Sequence, residues 1–307
     1  MISGSKGKHT LYMIRPSNFG FNIKTKYTNP LQYNIKEDHE FIKVKAIEEF
    51  DEMVNTLRSE NIKVVVYEEF EGGKPDTVFI SNWLSILEDK RMVIYPVLSK
   101  EEDETWHNDI INKLRDNAGI KTIFDLTFFE KENRFLEGGG SVVFDHLNKT
   151  AYASLSKRTN ESVFNYLCNI ISYKGFVFSA FDYKGKSIFH TNMILSITSS
   201  FIIVCLSSID DILERTIIRT NLEQTGREVI DITMDQVFSF SGNCEEVYSK
   251  DGKSKLIMSR TAYHALKSKQ IKVIEKYSEI VQVNVSIIER VGGSSVNCMA
   301  LNHHEKG

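Results

Sequence analysis

Hydrophobic positions along the chain alternate between two periods. Residues 41–60 carry Ile47, Phe50, Met53, Val54 and Leu57, a spacing that predicts an amphipathic helix. The same spacing recurs over residues 106–118 (Ile110, Ile111, Leu114), 160–173 (Val163, Phe164, Leu167, Ile170, Ile171), 209–225 and 260–276. Gly119, Gly175 and Gly226 stand where three of these helices would close, as helix-terminating residues. Short apolar runs between the helices predict buried strands at 11–14, 63–67, 92–97, 122–126, 141–144, 151–155, 176–181, 188–196, 201–206, 228–232 and 256–259. Residues 25–40 read as a polar loop, and 280–288 as a last strand leading into Gly292 and Gly293. Strands outnumber helices about two to one, whereas a doubly wound sheet needs a helix after nearly every strand. Five strand–strand–helix units therefore predict a radially repeated α/β fold, in which loops from distant parts of the chain converge at one end.

Composition narrows the class. Of 307 residues 41% are hydrophobic and 26% charged, the balance of a globular chain. A net charge of −3 carries no basic stripe, so no nucleic-acid partner is expected. The longest apolar run, Phe201 to Leu206, is far short of a membrane span, and residues 1–10 have no apolar signal segment. Cys168, Cys205, Cys244 and Cys298 form no C-x-x-C pair. A zinc knuckle or disulfide framework is not expected; a reducing, cytoplasmic setting is. With four prolines and no low-complexity linker, the chain reads as one domain over 1–307. Its ends, 1–10 and 302–307 with His303 and His304, read as flexible. Oligomeric state is open, a homo-oligomer included.

Chemistry concentrates in a few places. Cys298 follows Gly292-Gly293-Ser294-Ser295-Val296-Asn297, either an aimed nucleophile behind a glycine turn or a buried free cysteine. His190 and Asn192 lie two apart in a presumed strand, which would turn imidazole and amide to one face. Glu137 precedes Gly138-Gly139-Gly140, a tight turn without the lysine of a phosphate loop. Asp76 follows Pro75, ahead of Asn82-Trp83, and Arg158 precedes a helix that Asn160 would cap. Each also has a plain structural reading: a core histidine, a turn carboxylate, a solvated arginine. No metal-ligand spacing appears, and neither metal nor cofactor is expected.

Seven segments in order carry a resemblance: 13–16 (Met-Ile-Arg-Pro), 75–83, 136–141, 156–160, 190–192, 240–243 (Phe-Ser-Gly-Asn) and 292–299. From about residue 11 to 301 the chain resembles the guanidino-group-modifying (amidinotransferase, or pentein) superfamily. It is most similar there to the citrulline-utilisation hydrolases grouped with dimethylarginine dimethylaminohydrolases. The resemblance implies a five-bladed, pseudo-fivefold α/β propeller of ββαβ units around a central channel. It implies Cys298 as nucleophile, His190 as acid and base, and Glu137 as the carboxylate that orients His190. Asp76 would grip the guanidinium and Arg158 the substrate carboxylate, with Asn192, Asn82 and Asn243 as further substrate contacts. The implied reaction is hydrolysis of a ureido or guanidino amino acid through a covalent thiouronium-type intermediate. The first reading is citrulline to ornithine. Arginine deimination, dimethylamine release and amidino transfer are alternatives within enzymes, and an inactive scaffold is the alternative outside them. Asn192 stands where many relatives have aspartate, and its amide can donate to a ureido oxygen, which favours citrulline. Ile80, Ser81, Leu87 and Asn297 also depart from the family pattern and are expected to line the pocket.

Overall fold

The computed structural model describes residues 8–69, 74–98 and 105–305. β1 (Lys8–Arg15) is followed by α1 (His39–Ser59) and β2 (Lys63–Glu68). The next unit holds β3 (Leu84–Ile86), β4 (Arg91–Ile94), α2 (Thr105–Ala118) and β5 (Thr122–Asp125). After the single-turn α3 (Gly138–Ser141) come β6 (Val143–Asp145), β7 (Thr150–Ser154), α4 (Glu161–Ile171) and β8 (Lys174–Phe178). The fourth unit comprises β9 (Leu195–Ile197), β10 (Phe201–Val204), α5 (Ile212–Glu223) and β11 (Glu228–Asp231), and ends in α6 (Met234–Phe238). The fifth comprises β12 (Glu245–Tyr248), β13 (Ser254–Ser259), α7 (Arg260–Ala265), α8 (Ser268–Glu275) and β14 (Glu279–Val283). α9 (Ser286–Gly292), α10 (Val296–Met299) and β15 (Leu301–Glu305) complete the chain.

Among the described residues these strands form five three-stranded sheets of one plan. A first strand pairs antiparallel with a second, as Leu84 opposite Ile94, and the second runs parallel to a third, as Arg91 opposite Thr122. The parallel step needs a crossover, and a helix supplies it. One sheet is completed from both ends of the chain: β15 lies antiparallel to β1, with Lys8 opposite Glu305 and Tyr12 opposite Leu301, and β1 runs parallel to β2. The first strands β3, β6, β9, β12 and β15 line a central cavity of about 260 Å³.

Most of the predicted stripe is buried on α1 (Phe50, Met53, Val54 and Leu57) and on α4 (Val163, Phe164, Leu167 and Ile171), while Ile47 and Ile170 are only partly buried. β10 is buried along its whole length, which is why it reads as an unbroken apolar run. Asp38, Asn160 and Asp211 each cap a helix by accepting backbone N–H groups.

Several expectations change. The last helix of the repeat is two, because Leu266 and Lys267 are extended between α7 and α8. Residues 286–292 are helical, so the last predicted strand stops at Val283. Residues 188–196 are not one strand: Thr191–Met193 is a 3-10 turn and β9 begins at Leu195. Gly119 has φ +62° at the end of α2, but α4 is closed by Ser172 at φ +61°, and Gly175 lies within β8. The ends are less free than expected. Residues 8–10 and 302–305 are paired strands, and His303 is buried, because closing the first unit requires both termini. Residues 1–7 and 306–307, also expected to be flexible, lie outside the described residues.

Candidate active site

Cys298 sits on the one-turn helix α10 and is fully buried. Gly293, at φ +65°, ends α9 by donating its N–H to the Glu289 carbonyl at 2.7 Å, and so turns the chain into α10. The neighbouring 3-10 turn Ile80–Asn82 holds α10 from below: Ser81 Oγ donates to the carbonyls of Asn297 and Cys298, both at 3.1 Å.

His190 and Asn192 do converge on this cysteine, though by a 3-10 turn rather than strand alternation. His190 Nε2 donates to Glu137 Oε2 at 2.7 Å, which leaves Nδ1 buried and without a protein partner. Glu137 starts α3 and lies at the centre of a buried network. Its Oε2 also accepts from Arg158 Nη1 at 3.1 Å, and its Oε1 accepts the Leu98 N–H at 3.1 Å. Gly140 permits this packing. A Cβ there would lie 2.7 Å from His190 Nδ1 and Cε1 and 2.9 Å from Asn82 Oδ1.

Electrostatics divide the roles. Burial works against ionisation of Glu137, but the Arg158 charge and the His190 hydrogen bond outweigh it and bring its pKa down to about 2. Burial would lower His190, but the neighbouring Cys298 sulfur and the hydrogen bond and charge of Glu137 leave it raised. Burial pushes the Cys298 thiol up, and His190, Ser294 and Asn243 reverse this, so it ends below the ordinary thiol range. The other three cysteines, free and buried, are all raised by burial. Among the four, only Cys298 is shifted toward the thiolate, and it lies beside a His190 shifted toward the charged form.

Two amides face the sulfur: Asn192 Nδ2 at 3.1 Å and Asn243 Nδ2 at 3.4 Å. Asn192 Nδ2 also donates to Asn297 Oδ1 at 2.8 Å, so both amide hydrogens are committed and Oδ1 is left buried without a partner. The expected donation by Asn192 to a ureido oxygen is therefore not what the structure offers; the free atom is an acceptor. Asp76 Oδ1 and Asn82 Oδ1 are likewise buried and unpartnered. Asp76 Oδ2 accepts from Asn22 Nδ2 at 2.6 Å, and burial raises its carboxyl to about 6.

Arg158 is buried over the Phe189 ring, with Nε and Nη2 donating to Thr28 Oγ1 at 3.2 and 2.8 Å. Asn22, Thr28 and Asn29 belong to the loop between β1 and α1, and Asn29 Nδ2 donates to the carbonyls of Gly292 and Gly293. Nothing in the sequence marks these three, because loop polarity has no period. The departures Ser81, Leu87 and Asn297 line the central cavity, and Ile80 packs with Tyr12 and Trp83. Asn192 lines the same cavity, so Ser81, Leu87 and Asn297 adjoin the site from its central side. Among the described residues no group of three or more His, Cys, Asp or Glu is placed to hold a metal, and no helix is long and apolar enough to cross a membrane.

Residues 15–305 match the sequence profile of the eukaryotic N,N dimethylarginine dimethylhydrolase family. The chain belongs to this family. With it comes the pentein, guanidino-group-modifying superfamily. Comparison with curated proteins finds no match. Solved structures share the fold at low identity. Apo ArgZ, an arginine dihydrolase from the ornithine–ammonia cycle in cyanobacteria, superposes with a TM-score of 0.73 at 17% identity, covering 97% of this chain and 41% of ArgZ. A C-to-A mutant of AgrE in complex with L-arginine gives 0.73 at 15% identity, covering 97% of this chain and 40% of AgrE. A dimethylarginine dimethylaminohydrolase adduct with 4-chloro-2-hydroxymethylpyridine gives 0.64 at 14% identity, covering 96% and 99%. This member of the family thus spans about two fifths of the full-length ArgZ and AgrE chains and nearly all of the dimethylarginine dimethylaminohydrolase.

Proposed function

We propose that the chain hydrolyses the guanidino group of an arginine-related amino acid, with Cys298 as nucleophile. The observation that carries this reading is the set of buried, unpartnered oxygens on Asp76, Asn82 and Asn192 beside the Cys298–His190 pair. An unpartnered buried acceptor is costly unless a ligand supplies a donor. A guanidinium offers five N–H donors in a plane and no acceptor. Gripped by these oxygens, its central carbon faces the thiolate.

Sulfur then forms a bond to that carbon, and His190 gives its Nδ1 proton to the departing nitrogen, which leaves as ammonia or amine. A water takes the freed position and gives a proton back to His190. Its oxygen bonds the carbon as the C–S bond breaks, releasing a ureido product and the thiolate. Glu137 keeps the imidazolium oriented and stabilised throughout, as the third member of a triad does. Two N–H groups of Arg158, one each on Nη1 and Nη2, are left over from Glu137 and Thr28 and suit a substrate carboxylate. Cys298 and His190 are buried, and the loop carrying Asn22, Thr28 and Asn29 is bonded to Asp76, Arg158 and Gly292, so we place the entry of substrate at this loop.

A second reading, citrulline to ornithine, is supported by His190 itself. A protonated Nδ1 can donate to a ureido oxygen, so the first product is also a fit to the site. Incubation with arginine, methylated arginines, agmatine and citrulline, with products identified by mass spectrometry, tests both. Turnover of a guanidino compound that is lost in Cys298→Ala is expected. Turnover of citrulline alone favours the second reading, and turnover unchanged in Cys298→Ala refutes both.

A further inference from the structure

Behind the nucleophile, a chain of amides connects the central cavity to the substrate face. The two ends of an amide are told apart by their partners, and here every link has only one consistent setting. Asn302 Nδ2 donates to the Glu246 carbonyl at 3.1 Å and to Glu245 Oε1 at 2.6 Å. Glu245 Oε2 accepts from Asn297 Nδ2, which also donates to the Cys244 carbonyl at 3.4 Å. Both of these partners of Asn297 only accept, so its Oδ1 must point the other way, to Asn192 Nδ2 at 2.8 Å. That in turn places the Asn192 amino group between Asn297 and the Cys298 sulfur and leaves Asn192 Oδ1 free.

We propose that Glu245 is a positioning residue for substrate selection: through Asn297 it orients the Asn192 amide so that an acceptor, and not a donor, faces the reacting group. The inference rests on the guanidino reading above. It explains how an asparagine does at this position what a carboxylate oxygen would do, with an amide donor left over for the sulfur. Asn297, one of the residues that depart from the family pattern, is the middle link.

Glu245→Gln tests the relay because it changes no shape. Asn302 still requires an acceptor at the Oε1 position, so the new amino group takes the place of Oε2 and meets the Asn297 amino group. Asn297 then reverses, Asn192 reverses after it, and the Asn192 amino group faces the substrate. Assays belong at pH 8, where Glu245 is a carboxylate although burial brings its pKa up to about 7. The probes are 2-chloroacetamidine, a cationic donor, and 2-chloroacetamide, a carbonyl acceptor, with alkylation of Cys298 followed by peptide mass spectrometry. In E245Q the amidine-to-amide rate ratio is expected to fall about tenfold or more. In E245Q/N297D, where a carboxylate accepts from both sides, it should return to within about threefold of wild type. Asn297→Leu keeps the Glu245 charge and removes the link. Its ratio also falls, which a through-space charge effect would not produce, and this variant serves if E245Q does not fold. A ratio within about twofold of wild type in E245Q or N297L, or no recovery in the double variant, overturns the relay. A wild type that reacts equally with both probes and turns over no guanidino compound overturns the guanidino reading instead.

Discussion

Glu137→Gln is the most informative single change, because one carboxylate holds both His190 and Arg158. Its Oε2 lies 2.7 Å from His190 Nε2 and 3.1 Å from Arg158 Nη1, and all three side chains are buried. Held at about 2 instead of 4.5, the Glu137 carboxyl contributes on the order of 3 kcal/mol at neutral pH, at about 1.4 kcal/mol per pH unit. Removing one partner of a buried ion pair gives the same order, roughly 3–5 kcal/mol, because the remaining charge stays desolvated. The sign follows from the depressed pKa. This stability is fully present above pH 4.5 and is lost as pH falls toward 2. Wild type should therefore lose stability across that window, and the variant, already lacking it, should show a shallower pH slope there. At pH 7 the midpoint of thermal unfolding should drop by roughly 5 °C or more. The chemical consequence is separate. Without the carboxylate, burial lowers the His190 pKa and the thiolate loses its partner charge. The midpoint of the pH profile for iodoacetamide alkylation of Cys298 should move up by about one pH unit or more, and kcat should fall about 10²- to 10⁴-fold. An unfolding free energy within about 1 kcal/mol of wild type, together with an unmoved alkylation midpoint, would refute the argument.

At pH 7.5, iodoacetamide should modify Cys298 well before Cys168, Cys205 or Cys244, since burial raises those three and His190 lowers the first; peptide mapping over time reads the order. Gly140→Ala should cut kcat about 100-fold, because its Cβ would press on the His190 ring and Asn82; steady-state kinetics separate this from a KM effect. Arg227→Met should destabilise by roughly 3–5 kcal/mol in urea unfolding, since it strands the buried Asp145 that Arg227 holds through two hydrogen bonds at 2.5 and 2.9 Å.

Local spacing made much of the repeat legible. The stripes at Phe50–Leu57 and Val163–Ile171 face the core as their period requires, and the crossover helices, the last of them split into α7 and α8, lie where the apolar pattern puts them. Less was legible where a short segment takes its conformation from its neighbours. Residues 286–292 are apolar enough for a strand but form a helix, and His190 to Asn192 form a turn docked on α3. β12 and α6 leave no mark in the sequence, because four or five residues carry too little period. Among site residues, Cys298, His190, Glu137, Asp76, Arg158, Asn192, Asn82 and Asn243 were named from motif order. The substrate argument from Asn192 was reversed by its partners, because an amide's free end depends on what holds the other.

By itself, then, the sequence determined the five-unit plan, the candidate nucleophile and its two companions, because periodicity and motif order are properties of the chain read in one direction. Tertiary structure alone decided what those groups are chemically. It lowered Cys298 and raised His190, left acceptor oxygens of Asp76, Asn82 and Asn192 without partners, and linked Glu245 to Asn192 through Asn297. Protonation and amide orientation are set by contacts between residues far apart in the chain, 53 positions for Glu137 and His190 and 106 for Asn192 and Cys298, and no local pattern encodes them.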